Sequence, residues 1–77
     1  MLREHDRIVL TEDLSSVHLK AGDVGTILHV HRDGAAFEVE FLAVDGNTAA
    51  VATVPAEGIR PVTARDLTHA RALEEAV

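Results

Sequence analysis

His29 and His31 are the residues whose type and spacing come nearest to chemistry. Two positions apart on an extended segment, both rings point the same way. His-x-His supplies two ligands of a metal site, and a closed site takes four. Glu38, expected directly across a hairpin from His29, is a candidate third, and no other cluster in the chain adds a fourth. The more common arrangement is a hydrogen-bonded His–Glu pair on a solvated sheet face, so no metal and no cofactor are expected. Ser15 and Ser16 stand beside Asp13 and His18. Neighbours in one loop do not make a triad, which needs a base oriented by a third group. Glu38 and Glu40 share a face, but an open sheet offers no pocket to drive their pKa values apart. There is no cysteine nucleophile, no Gly-x-Ser-x-Gly elbow and no phosphate-cradling glycine loop. The expectation is a protein that binds and is not an enzyme.

Composition narrows what it binds. Seventy-seven residues make one domain, and a chain this short buries only roughly 60–65% of its unfolded surface. The absence of cysteine rules out disulfides and thiolate metal sites. The charged start, Met1 to Asp6, lacks an apolar signal core, and no apolar run reaches the length of a membrane span. A soluble, cytoplasmic protein is expected. Thirteen acids against seven Lys and Arg give a formal charge of −6. Phosphate neutralisation dominates nucleic-acid affinity, and the basic residues here are scattered. Phe37 and Phe41 are the only aromatics among Phe, Tyr and Trp, too few for a base-stacking platform. Neither a nucleic acid nor a membrane is an expected partner.

The elements that hold these side chains read as β-structure. A first strand covers 6–11, and an irregular connection runs from Glu12 to Ala21. A second strand follows over 24–31, with Gly25 marking a bulge or bend. Asp33-Gly34 is a hairpin turn, because Asp-Gly tolerates the positive φ that a tight hairpin demands. A third strand spans 36–44. Asp45-Gly46 makes a second hairpin, with Asn47 leaving a one-residue uncertainty in its register. A fourth strand covers 48–54. Pro55 to Gly58 form a tight turn or a single 3₁₀ turn before a short last strand, 59–62, which Pro61 confines to an edge or an end.

A two-residue turn at Asp33-Gly34 pairs Val30 with Phe37, Leu28 with Val39 and Thr26 with Phe41. These six share one almost wholly apolar face, which the second hairpin extends to Ala50, Ala52 and Val54. Ile8, Leu10 and Ile59 should close the same core. The opposite face then carries Ile27, Leu42 and Val51 beside Glu38, Glu40, His29 and His31. An apolar centre with an acidic rim is the anatomy of an interface. Ile27, Glu38, Glu40, Leu42 and Val51 are therefore the candidate partner-binding residues. Thr63 and Asp66 resemble a capping box, and Leu67, Ala70, Leu73 and Val77 recur at helical spacing. The expected fold is mainly β: a five-stranded SH3-like barrel over 1–62, with a short C-terminal α-helix over 63–77 docked on the sheet or over a barrel end.

The segments Leu19 to Ile27, Phe37 to Phe41, Thr53-Val54-Pro55 and Ile59 to Val62 resemble a bacterial family of short stand-alone proteins known only as a domain of unknown function. The Asp6 to Leu14 start and the Thr68-His69-Ala70-Arg71 tail extend the resemblance over nearly the whole chain. Gly22 to Thr26 is also similar to the KOW motif of ribosomal and transcription-factor barrels. The family resemblance implies an SH3-like barrel without known enzymatic activity, working as the antitoxin-like, immunity-like or accessory partner of another protein. The leading expectation is a protein-interaction module whose acids, Glu38, Glu40, Asp45 and Glu57, meet a basic protein; a homo-oligomer is a variant. The alternative is a KOW-like RNA or ribosome binder using Lys20, Arg32 and Arg60.

Overall fold

A computed structural model of the chain describes residues 2–73. Five strands, β1 (Arg7–Leu10), β2 (Val24–His31), β3 (Ala36–Leu42), β4 (Thr48–Pro55) and β5 (Ile59–Pro61), form one antiparallel sheet. Their order is β4-β3-β2-β1-β5, so β1 lies between β2 and β5. Two single 3₁₀ turns, Ser15–Val17 and Ala56–Gly58, and a left-handed turn at Arg32–Gly34 complete the regular structure of the described residues. The strands are the β-branched runs of the sequence, and Gly34 and Gly46 supply positive φ at the two hairpin turns.

One face of the sheet makes the core. Ile8 and Leu10 from β1, Ile27 from β2, Phe37, Val39 and Phe41 from β3, Val54 from β4 and Ile59 from β5 are buried together with Leu19. Leu19 comes from the irregular connection, where Leu14 and Leu19 exchange two backbone hydrogen bonds around the Ser15–Val17 turn. Gly25 is fixed by close approach: a Cβ there would lie 2.5 Å from Val39 Cγ1 and 2.8 Å from the Phe41 ring. A chain of this size depends on such packing, since each buried aliphatic or aromatic side chain contributes roughly 1.5–3 kcal/mol.

Two expectations about β2 are corrected. Val30 pairs with Phe37 as expected, but the register slips between Ile27 and His29. Leu28 is the extra residue of a bulge and stands 41% exposed. Ile27 consequently pairs with Val39, not Leu28, and Thr26 pairs with Glu40, not Phe41. Ile27 is thus wholly buried in the core and cannot belong to an outer binding face. The physical cause is the bulge: one added residue inverts the alternation on its far side. It also puts Ile27, in place of Thr26, on the core face. On β4 the expected pairs hold, with Phe41 opposite Ala50, Val39 opposite Ala52 and Phe37 opposite Val54. A second slip, between Phe41 and Leu42, leaves Ala49 without a partner on β3 and sets Leu42 opposite Thr48; the Ala43 amide donates to the Asn47 carbonyl, so the turn has the three residues that Asn47 left open.

The expected C-terminal helix is absent over residues 63–73; residues 74–77, with Val77, lie outside the described residues. Asp66 does reach back to the Thr63 amide, 2.6 Å away, as a capping box requires. No helix follows it among the described residues. Arg60 instead grips the Asp66 carboxylate with two nitrogens, at 2.7 and 3.0 Å. Further on, His69 and Arg71 both bind the one carboxylate of Asp23. Residues two apart lie on opposite sides of a helix but on the same side of an extended chain. Both can reach one carboxylate only from an extended tail, and Leu67 is left 93% exposed.

Candidate interaction face

Alternation along β3 sends Glu38, Glu40 and Leu42 to the face opposite the core, with Val51 and Thr53 beside them from β4. Cross-strand pairs fix the rows: His29, Glu38 and Thr53 in one, Thr26, Glu40 and Val51 in the next. Neighbouring hydroxyls hold both carboxylates. Thr53 donates to Glu38 at 2.7 Å, and Thr48 donates to Glu40 at 2.7 Å. Val51 and Leu42 are 45% and 52% exposed. The face therefore has an apolar pair flanked by two positioned negative charges. Of the five residues expected there, the structure brings four together and removes Ile27 to the core. The Thr53 hydroxyl, then His31, favour the charged form of Glu38, whose pKa lies below the usual carboxylate value.

The histidines do not converge on a common point. Their rings meet edge to face, with centroids 4.7 Å apart. His31 Nε2 lies 3.4 Å from Glu38, whereas His29 turns to Glu4 at 3.7 Å. Among the described residues no three His, Asp or Glu side chains are grouped to hold a metal ion. Untagged protein should therefore carry no stoichiometric zinc or nickel. One metal per chain by elemental analysis, abolished in His29→Ala, would contradict this assignment.

A second cluster, Asp13, Ser15, His18 and Lys20, surrounds a shallow depression of about 190 Å³. Asp13 accepts the Ala21 amide at 2.8 Å, and His18 uses its carbonyl to receive Arg71. No described hydrogen bond joins either serine to the His18 ring.

The model of a family described as "Domain of unknown function (DUF4926)" matches residues 4–61. The chain belongs to this family. No curated protein and no solved structure matches it. The matched span takes in all five strands, and with them the whole outer face of Glu38, Glu40, Leu42 and Val51. It stops short of the tail. The family domain nevertheless contains the carboxylate that holds the tail down. Asp23, buried at the entrance to β2, accepts the Lys20 amide and His69 Nε2, at 2.9 and 3.1 Å, and receives Arg71 through two nitrogens. Burial raises the Asp23 pKa, but Arg71, the Lys20 amide and His69 together outweigh it and leave the group below the usual value. This junction escaped sequence reading because its partners are 46 and 48 residues away. The available signal was an Asp after a turn glycine, together with His69-x-Arg71.

The tail lies over the β1–β2 end of the outer face. Val9, on the side of β1 opposite Ile8 and Leu10, is buried there. A groove of about 960 Å³ remains, with Val24, Leu42, Val62, Leu67 and Leu73 in its walls. Leu42 thus stands where the groove meets the acidic face. Among the described residues no helix is long and apolar enough to cross a membrane.

Proposed function

We propose that the chain is a non-enzymatic protein-interaction module built on an SH3-like barrel, binding a basic partner protein through Glu38, Glu40, Leu42 and Val51. The observation that carries this reading is the pair of carboxylates held by threonine hydroxyls on either side of exposed apolar side chains. Carboxylates already oriented lose less freedom on binding, and an apolar centre inside a charged rim is how interfaces are composed. A neutralising or accessory subunit is the role in mind, set in the cytoplasm on the cysteine-free composition. The strand order β4-β3-β2-β1-β5 supports the barrel reading.

An RNA-binding role is less well supported. Lys20 precedes β2 and Arg32 follows it, so an eight-residue strand, roughly 26 Å long, separates them. Arg60 is engaged by Asp66. The basic groups do not line up along a phosphate backbone, and the net charge of −6 repels one at long range.

The test uses wild-type protein and the Glu38→Lys, Glu40→Lys double variant as parallel baits in native lysate. A stoichiometric protein should be captured by the first and lost by the second, whose thermal unfolding should match wild type. A partner retained at full occupancy by the double variant would move the site elsewhere. Gel shifts with RNA and duplex DNA at physiological salt should show no complex, and tight, salt-sensitive RNA binding would overturn the reading.

A further inference from the structure

Asp23 is the one buried charged residue among the described residues, and the family domain leaves it half satisfied. Within residues 4–61 its carboxylate accepts a single described hydrogen bond, from the Lys20 amide at 2.9 Å. An ionised carboxylate has room for about four. The domain itself sets the cradle around it. The Lys20 amide orients the carboxylate, the Leu14–Leu19 bridge closes the loop beside it, and His18 is held in the left-handed region at φ 59. Arg71 shows how the cradle is used. Its Nε and Nη2 reach the Asp23 carboxylate, and Nη2 also donates to the His18 carbonyl at 3.0 Å. His69 Nε2 lies 3.1 Å from the same carboxylate, with its ring over Gly22. The tail is held there by side chains. Among the described residues no backbone hydrogen bond joins residues 63–73 to the five strands.

We propose that Asp23 and the His18 carbonyl form a binding site for an extended, arginine-bearing peptide, and that the tail is its displaceable occupant. A partner's segment enters when its arginine replaces Arg71 and a hydrogen-bond donor two residues earlier replaces His69. The tail itself discloses the chemistry of the ligand. The site is a buried anion on a chain of net charge −6. Its two acceptors fit the planar fork of arginine and not the point charge of lysine. Reaching one carboxylate from positions two apart requires an extended backbone. The groove continues past the site along Val24, Leu42 and Val62, and takes an apolar side chain after the arginine, as Leu73 borders it now. Because the tail is tethered, a ligand binds the free chain with its affinity reduced by the fraction that is open. The inference uses Asp23 and not Glu38 or Glu40, so it stands or falls apart from the basic-partner reading.

The test titrates a blocked peptide of residues 63–73 into the full chain carrying Arg71→Ala, followed by amide NMR shifts. The peptide should bind below about 1 mM, the effective concentration that a short linker gives a tethered segment. Wild type should bind it about tenfold more weakly, because its own tail competes. The shifts should fall at His18, Lys20 and Asp23, away from Glu38 and Glu40. A peptide keeping only His-Ala-Arg between glycine and serine flanks should still bind, and Arg71→Lys within the peptide should weaken binding about tenfold. Asp23→Asn keeps an acceptor for the Lys20 amide; added to Arg71→Ala, it should abolish binding and leave the chain folded. Arg71→Lys in the full chain gives a second tail-weakened form should the alanine variant unfold. No binding up to that concentration by either Arg71 variant overturns the inference. So does equal affinity for wild type and the variants, binding indifferent to Asp23→Asn, or shifts centred on Glu38 and Glu40. Binding of the exact tail sequence alone also overturns it, since the tail would then be a fixed strap.

Discussion

Phe37→Ala is expected to leave the domain unfolded in water, and Phe41→Ala should do nearly the same. Both rings are buried between the sheet and the segments packed on it. Removing a buried Phe side chain costs about 3–5 kcal/mol, through lost transfer energy and the cavity left behind. A small domain has on the order of 5 kcal/mol to lose. The Phe41 ring also rests against the backbone of Gly25, so no side chain there can swing in to fill the space. Urea titration followed by circular dichroism measures the effect. A companion pair checks the register directly. Ile27→Ala should cost about 2–5 kcal/mol, whereas Leu28→Ala, on the bulge, should stay within about 0.5 kcal/mol of wild type. Equal losses at the two positions would mean that the bulge is misplaced.

Asp23→Ala should release the tail and lower stability by about 2 kcal/mol, the cost of losing charged hydrogen bonds at a part-buried junction. The measurement is a double-mutant cycle with Arg71→Ala, combined with limited proteolysis between residues 62 and 73. The two single changes should each expose the tail, and the double change should add little to either, because both remove the same junction. Additive losses would show that Asp23 and Arg71 act separately. Acid should mimic the substitution. The folded-state pKa of Asp23 is depressed, so its contribution is complete above the unfolded carboxylate value near 3.8. That contribution is lost as the pH falls through the lower folded value. Proteolytic release of the tail should therefore begin only in strong acid.

Much of this architecture could be read from local pattern. Asp33-Gly34 and Asp45-Gly46 mark both hairpins, and Phe37, Val39 and Phe41 alternate cleanly with Glu38 and Glu40, so one face of β3 had to be the inner one. That is why Glu38, Glu40, Leu42 and Val51 lie on the outer face, as alternation predicts. Ile27 does not, although alternation predicts it there; Ile27 and Leu28 are adjacent and both apolar. Pattern alone cannot choose between them; the bulge at Leu28 decides. The tail failed for a different reason. Leu67, Ala70 and Leu73 have helical spacing, but a short helix persists only when packing holds it. Charged and polar contacts from Arg60, His69, Arg71 and Asp23 hold an extended chain instead. Ion pairs across 46 and 48 residues leave no trace in a window of ten or fifteen.

The position of β1 between β2 and β5 has a kinetic consequence. The pairing of Ile8 with Pro61 and of Leu10 with Ile59 joins segments about fifty residues apart. Each such contact must close a long loop before it returns any stability. The β2–β3 and β3–β4 hairpins close within a few residues and can form early, so the meander is a template that waits for both chain ends. On a ribosome, β1 is made first, yet it cannot acquire its second neighbour until residue 61 has emerged. Its row of unsatisfied amides stays open throughout synthesis, which makes Ile8, Val9 and Leu10 the segment most exposed to wrong pairing while the chain is incomplete.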